Sequence, residues 1–379
     1  MTKISLKATH DYVARRELSK FPAAAPIAAL ATLVIVGLTL RTQKTDVGTL
    51  TEPATATNRS GRADAFVSGL LPSPPQRGRL MDTDYLWQSS EGDNTPRSVL
   101  FLAHGCSHQM EDWWAPTGFH GSCPGCVGLP EERAIVATAR RMGAAVVATS
   151  SSNRSSKCWS KVDGPIVARI MLEVRKHVSD GEGKEDEIPL FAFGASSGGS
   201  FVSKILPGAM KETGFPLNGF VSQIASYRFD PKVRTPSVFM TMHRDHRTHG
   251  AVSQAVSAAK VQGVSSHHII LPQHPITPSF FVERLPEFYN ALESKNMAAA
   301  LKEEGYLAED ETLREDPRRS EWRIVLKKFA ERNGDSLVAD ASPLAEEMNV
   351  AYSMHEMARD KVQEALQFLY DAQTQSKHA

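Results

Sequence analysis

The residues best suited to chemistry lie in Phe191-Ala-Phe-Gly-Ala-Ser-Ser-Gly-Gly-Ser200. Within this stretch, Gly194-Ala195-Ser196-Ser197-Gly198 has the G-x-S-x-G spacing of a nucleophile elbow. A serine hydroxyl attacks a carbonyl only when it is exposed and a base takes its proton. A turn sharp enough to lift it above a sheet leaves no room for side chains beside it. Gly194, Ala195, Gly198 and Gly199 meet that demand. An apolar run of strand length precedes the motif and a helical stretch follows it, as such a turn requires. A phosphate-binding loop would instead show G-x-G-x-x-G or a Walker lysine, and neither is present.

Attack on a carbonyl creates an oxyanion, which needs N–H donors. One is expected from Ser197, the residue after the nucleophile. The other usually comes from the loop after an earlier strand. His104-Gly105-Cys106 follows the apolar run Val99–Ala103, so Cys106 is the expected second donor, with Gly105 beside it. A histidine must take the serine proton, and an acid must orient that histidine. Asp245 follows the run Val238–Met242 and is the candidate acid. Position after the last strand favours His274, in Pro272-Gln273-His274, as the base. His355 is the rival. It falls on the apolar stripe of a C-terminal helix and reads more readily as a core histidine. Pro275 and Pro278 stiffen the segment around His274, which leaves the third member of the triad open. No cofactor and no metal are expected. If no histidine reaches Ser196, the same chain would be a scaffold or binding protein built on an enzyme's frame.

Six apolar runs of strand length supply that frame: Val99–Ala103, Ala144–Ala148, Ile188–Phe193, Gly219–Ile224, Val238–Met242 and His268–Leu271. Their unbroken apolar character predicts strands covered on both faces. Helical stretches near 129–142, 164–178, 198–212 and 248–262 fall between them. Repeated strand–helix–strand order predicts a parallel sheet with helices on both sides. A Rossmann-type sheet has the same rhythm, so the motifs must decide. A further short strand is expected at Asp84–Gln88. Beyond about Lys295 the strands stop. Ala351, His355, Ala358, Val362, Leu366 and Leu369 then recur at steps of three and four, the face of a last helix near 349–372.

From Ser98 to about Tyr289 the chain resembles an α/β-hydrolase. It resembles most closely α/β-hydrolase-like proteins of plants and algae that have no assigned substrate. The stretches that carry this are His104-Gly-Cys-Ser-His108, Cys123-Pro-Gly-Cys-Val-Gly-Leu-Pro-Glu-Glu132, Cys158-Trp159, Gly194-Ala-Ser-Ser-Gly-Gly199 and Tyr352-Ser-Met-His-Glu-Met357. The resemblance implies the fold and a hydrolase-like site, and it implies no substrate. On either basis the expected reaction is cleavage of a carboxylic ester or related acyl bond in a small molecule.

Cys106, Cys123, Cys126 and Cys158 crowd the two loops that should rise near Ser196. Two disulfides, four free thiols or a zinc site all fit. One Cys-x-x-Cys without a matching second pair is a weak zinc signal. Lys+Arg and Asp+Glu both number 43, a balance that argues against a nucleic-acid binder.

Phe21–Leu40 is apolar, uncharged and long enough to span a bilayer as a helix. No Ala-x-Ala cleavage site follows it, so an uncleaved anchor is the favoured reading over a signal peptide. Lys3, Lys7, Arg15, Arg16 and Lys20 precede the run, against Arg41, Lys44 and Arg59 behind it. That bias predicts a cytosolic N-terminus and a catalytic domain on the far side, in an endomembrane. The expected organisation is a tail over 1–20, the span over 21–40, a flexible linker over 41–94, a hydrolase core over 95–295 and a helical region over 296–379.

Overall fold

The computed structural model describes residues 73–92, 95–179 and 185–378. One sheet of eight strands organises them: β1 (Gln76–Leu80), β2 (Thr83–Gln88), β3 (Ser98–Ala103), β4 (Ala144–Thr149), β5 (Leu190–Ala195), β6 (Gly219–Gln223), β7 (Ser237–Met242) and β8 (Ser266–Leu271). Their spatial order is β1-β2-β4-β3-β5-β6-β7-β8. β2 runs antiparallel to β1 and β4, and β3 through β8 are parallel.

Every residue of β3, β4, β5, β6 and β7 is buried, as unbroken apolar runs require. Alternation along each strand divides those residues between two faces. Leu100, Leu102, Val146, Phe191, Phe193 and Val221 pack on one face, with α1 (Pro130–Arg141) and α10 (Val362–His378). Val99, Phe101, Val147, Leu190 and Phe220 pack on the other, with α2 (Gly164–Val178), α3 (Ser197–Lys204) and α5 (His246–Val261). Burying one such side chain contributes roughly 1.5–3 kcal/mol. α4 (Leu206–Glu212) continues from α3. A third cluster, around Phe281, Met297, Leu301, Trp322 and Met348, joins α6 (Phe280–Arg284), α7 (Ala291–Glu303), α8 (Trp322–Arg332) and α9 (Pro343–Tyr352).

Two sequence expectations change here. The linker expected over 41–94 ends earlier, because β1 and β2 lie inside it. β1 reads Gln-Arg-Gly-Arg-Leu, with no apolar face to betray it. It is an edge strand held by backbone pairing to β2, and the Tyr85 ring fills the space over Gly78. The apolar stripe expected of the last helix to pack on the rest of the chain does so: Val362, Ala365, Leu366 and Leu369 of α10 belong to the cluster on the sheet.

The single helix expected near 349–372 is two helices. α9 stops at Tyr352 and α10 starts at Val362. Between them Ser353 takes the left-handed conformation, with φ 57°. Its buried hydroxyl donates to the Leu271 carbonyl and accepts from the His243 N–H, at 3.0 Å each. Tertiary bonds to the ends of β7 and β8 thus replace the next helical turn.

The apolar segment 21–40 and the tail before it lie outside the described residues. Among the described residues, no helix is long and apolar enough to cross a membrane.

Candidate active site

Ser196 stands between β5 and α3 with φ 54° and ψ −113°, a conformation that L-residues rarely hold. Neighbouring backbone enforces it. A Cβ on Gly198 would overlap the Ala103 and His104 carbonyls, and one on Gly194 would overlap Gly198. A Cβ on Gly199 would stand 2.8 Å from Ala225 Cβ. The elbow is therefore wedged between β3 and β6, and glycine is required on both sides of the serine.

The two expected oxyanion donors flank it. The Ser197 N–H stands at the first position of α3, where a helix leaves its N–H groups unpaired and carries partial positive charge. Gly105 is close to the nucleophile: a Cβ placed on it would lie 3.9 Å from Ser196 Cβ. Cys106 follows directly, and a disulfide ties it to Cys158 in the loop after β4. Cys123 and Cys126 form a second disulfide. Of the three readings open for the cysteines, the structure shows the paired one. No group of three His, Cys, Asp or Glu side chains placed to hold a metal ion occurs among the described residues.

His104 braces this loop from behind. Its Nε2 accepts the Ser151 N–H at 3.2 Å, so Nδ1 carries the proton and donates to the Gly105 carbonyl at 2.6 Å. Trp159 Nε1 donates to the His104 carbonyl at 2.9 Å. Burial drives the His104 pKa down to about 4, and the imidazole stays neutral. His108, one turn on, behaves oppositely. Burial opposes its charge, but its bond to Asp112 and the nearby Glu132 and Glu356 raise it to about 9.

The histidine that meets Ser196 is His355. Its Nε2 lies 3.1 Å from Ser196 Oγ, within reach for proton transfer. Its Nδ1 faces Asp245 Oδ2 at 3.9 Å. The other Asp245 oxygen accepts the Thr248 N–H at 3.1 Å and caps α5. The acid–histidine separation is longer than a hydrogen bond, as is common before substrate binds. His355 is not a core residue on a helix. It projects from the loop at 354–361 with 48% of its side chain exposed.

The structure brings Ser196, His355 and Asp245 together and leaves His274 out. His274 does follow β8, but its N–H donates to the Ala351 carbonyl and its Nε2 faces Asp360 at 3.5 Å. It supports the far end of the loop that carries His355. Asp360 is held there by Arg284 as well, at 3.2 Å. Burial opposes its ionisation, yet His274 and Arg284 hold its carboxyl well below the usual range. Sequence spacing also gives no sign of Gln223. Its backbone carbonyl accepts the Ser196 N–H, and its side chain binds Ala358.

Similar solved structures include an arylesterase, 11% identical over 55% of this chain and 79% of that chain, with a TM-score of 0.36. Thermogutta terrifontis esterase 2 is 12% identical over 63% and 98%, with a TM-score of 0.38. A monoglyceride lipase of Saccharomyces cerevisiae is 10% identical over 54% and 87%, with a TM-score of 0.34. These values are too low to carry a functional argument. No family model and no curated protein matches the chain.

Two outcomes are expected. His355→Ala should lower the rate of Ser196 phosphonylation by a fluorophosphonate at least about 100-fold, while His274→Ala should lower the melting temperature more than the labelling rate. Equal labelling of His355→Ala and the parent would remove His355 from the site. The second concerns acid stability. In the unfolded chain His104 takes up a proton near pH 6.5, and in the folded chain only near pH 4. Stability should fall as pH drops through that window, by about 2 kcal/mol between about pH 7 and pH 5 from this one group. His268, also lowered to about 4 by burial and by His249 and His267 but only half-buried, adds a smaller slope of the same sign. Between the same two pH values His104→Gln should therefore lose about 2 kcal/mol less stability than the parent, read from urea midpoints, and an equal change in the two proteins would contradict the buried neutral imidazole.

Proposed function

From the α/β-hydrolase fold that this strand order and elbow define, we propose that the chain is a serine hydrolase that cleaves a carboxylic ester or related acyl bond in a small molecule. The contact between His355 Nε2 and Ser196 Oγ, at 3.1 Å, is the observation that carries this reading. A scaffold that had lost turnover would have no reason to keep an exposed imidazole within reach of a strained serine.

In the proposed reaction His355 Nε2 takes the Ser196 proton as Oγ attacks the carbonyl carbon. Asp245 Oδ2 closes on Nδ1–H and stabilises the imidazolium. The Ser197 and Cys106 N–H groups hold the oxyanion, each worth roughly 3 kcal/mol in comparable sites. His355 returns its proton to the leaving alcohol, and water then releases the acyl group by the same route. His108 stands behind the oxyanion loop: its Cδ2 lies 3.6 Å from a Cβ placed on Gly105. Asp112, 3.1 Å from its Nδ1, balances the charge that this imidazole carries.

The purified chain should hydrolyse p-nitrophenyl acyl esters and incorporate one fluorophosphonate at Ser196. Ser196→Ala should abolish both. Turnover that survives in Ser196→Ala would refute the nucleophile, and an unreactive parent across short and long acyl chains would favour the scaffold reading.

The proposal extends to membrane attachment through residues 21–40, on the length and apolarity of that run and the cationic residues before it. The full chain should sediment with membranes after alkaline carbonate washing, and a chain starting at residue 73 should not. Release of the full chain by carbonate would disprove the anchor.

A further inference from the structure

We propose that Gln223 is the positioning residue that sets His355 against Ser196. This rests on the hydrolase reading above.

Gln223 is the last residue of β6 and is fully buried. In the sheet register it lies opposite Ala195 of β5, and its backbone carbonyl accepts the Ser196 N–H at 2.9 Å. That bond extends the β5–β6 ladder one residue into the elbow. It pins the nucleophile where the chain must leave the sheet. The Gln223 side chain turns to the other partner. Its Nε2 donates to the Ala358 carbonyl at 2.8 Å, and its Oε1 accepts the Ala358 N–H at 3.1 Å. The two bonds also fix which end of the amide is nitrogen, because Ala358 offers one donor and one acceptor.

Ala358 is buried three residues after His355, in a loop with no helical bonds of its own. The other contacts of that loop reach different parts of the molecule. Ser353 holds its first end to β7 and β8. Arg318 donates to the His355 carbonyl and to Glu356 from a partly exposed position. The Arg359 N–H donates to Glu131 of α1. Among the described residues, Gln223 alone bonds both the nucleophile's backbone and the histidine's loop. One rigid residue thus spans the two halves of the site. Misplacement by about 1 Å can cost roughly 100-fold in rate, so a loop that carries a half-exposed histidine needs such a link.

The test compares the full chain with Gln223→Leu and Gln223→Glu. The leucine keeps the volume and loses both side-chain bonds. Its kcat on a p-nitrophenyl ester should fall roughly 10- to 100-fold with KM little changed. Amide exchange should quicken over 354–361, while β5 and α3 keep their protection. The glutamate is the sharper probe. Protonated, it offers one donor and one acceptor as the amide does. Ionised, it has no donor for the Ala358 carbonyl. Its kcat should match the parent at low pH and fall along an alkaline limb that the parent lacks. A merely structural role would lower melting temperature and leave the shape of the pH profile unchanged. Parent-like kcat in the leucine variant, or a parent-like pH profile in the glutamate variant, overturns the proposal. If the leucine variant does not fold, the glutamate profile decides. If the parent turns over no ester, the hydrolase reading fails, and exchange over 354–361 decides by itself: unchanged protection in the variants overturns the clamp.

Discussion

The close approach of three backbones at the elbow governs everything built above it. Gly194, Gly198 and Gly199 let β5 turn into α3 while touching the carbonyls at the end of β3 and the chain leaving β6. A strained serine, with φ 54°, persists there because the sheet on both sides over-determines it. The same packing delivers the oxyanion loop, since the Ala103 and His104 carbonyls that crowd Gly198 belong to the segment leading into Gly105 and Cys106. Ser196 and the Gly105–Cys106 loop are thus one rigid object. His355 is not part of it.

His355 arrives on a separate loop, and much of the chain's buried charge is devoted to holding that loop. Arg284 sits among Glu131, Glu347 and Asp360, and Glu131 also accepts the Arg359 N–H. Glu131 and Glu132 open α1, while Glu346 and Glu347 lie in α9. Burial lifts Glu132 to about 7 and Glu346 and Glu347 well above the ordinary carboxyl value. Arg284 and Arg359 offset the charge on Glu131, Glu347 and Asp360, whereas Glu132 and Glu346 lie away from those cations and are pushed toward their neutral forms. The knot joins α1, α6, α9 and the far end of the His355 loop.

The sheet was legible from sequence because its strands are apolar on both faces, a pattern that leaves few other readings. The elbow was legible because its glycines answer to backbone contacts that any such turn must make. β1 was not, since Gln-Arg-Gly-Arg-Leu offers no apolar face and owes its place to β2. That His355 and not His274 lies beside Ser196 was hidden for a physical reason as well. Ala351, Ala358 and Val362 are all buried, so the steps of three and four seemed to run unbroken through Ser353. Ala358 is buried from a loop, in the cluster on the sheet, and not from the face of a helix. Nothing local marks Ser353 as a left-handed terminus, because the bonds that put it there come from residues 82 and 110 positions earlier.

The order of the site along the chain has a bearing on biosynthesis. Ser196, Ser197 and Cys106 lie in the first part of the sheet to be made, and a ribosome releases them long before residue 355. The loop bearing His355 then depends on α10, whose Leu366 and Leu369 seal the same sheet face. A nascent chain therefore exposes the strained serine before its imidazole partner exists, and the contact between the two forms only as the last helix docks.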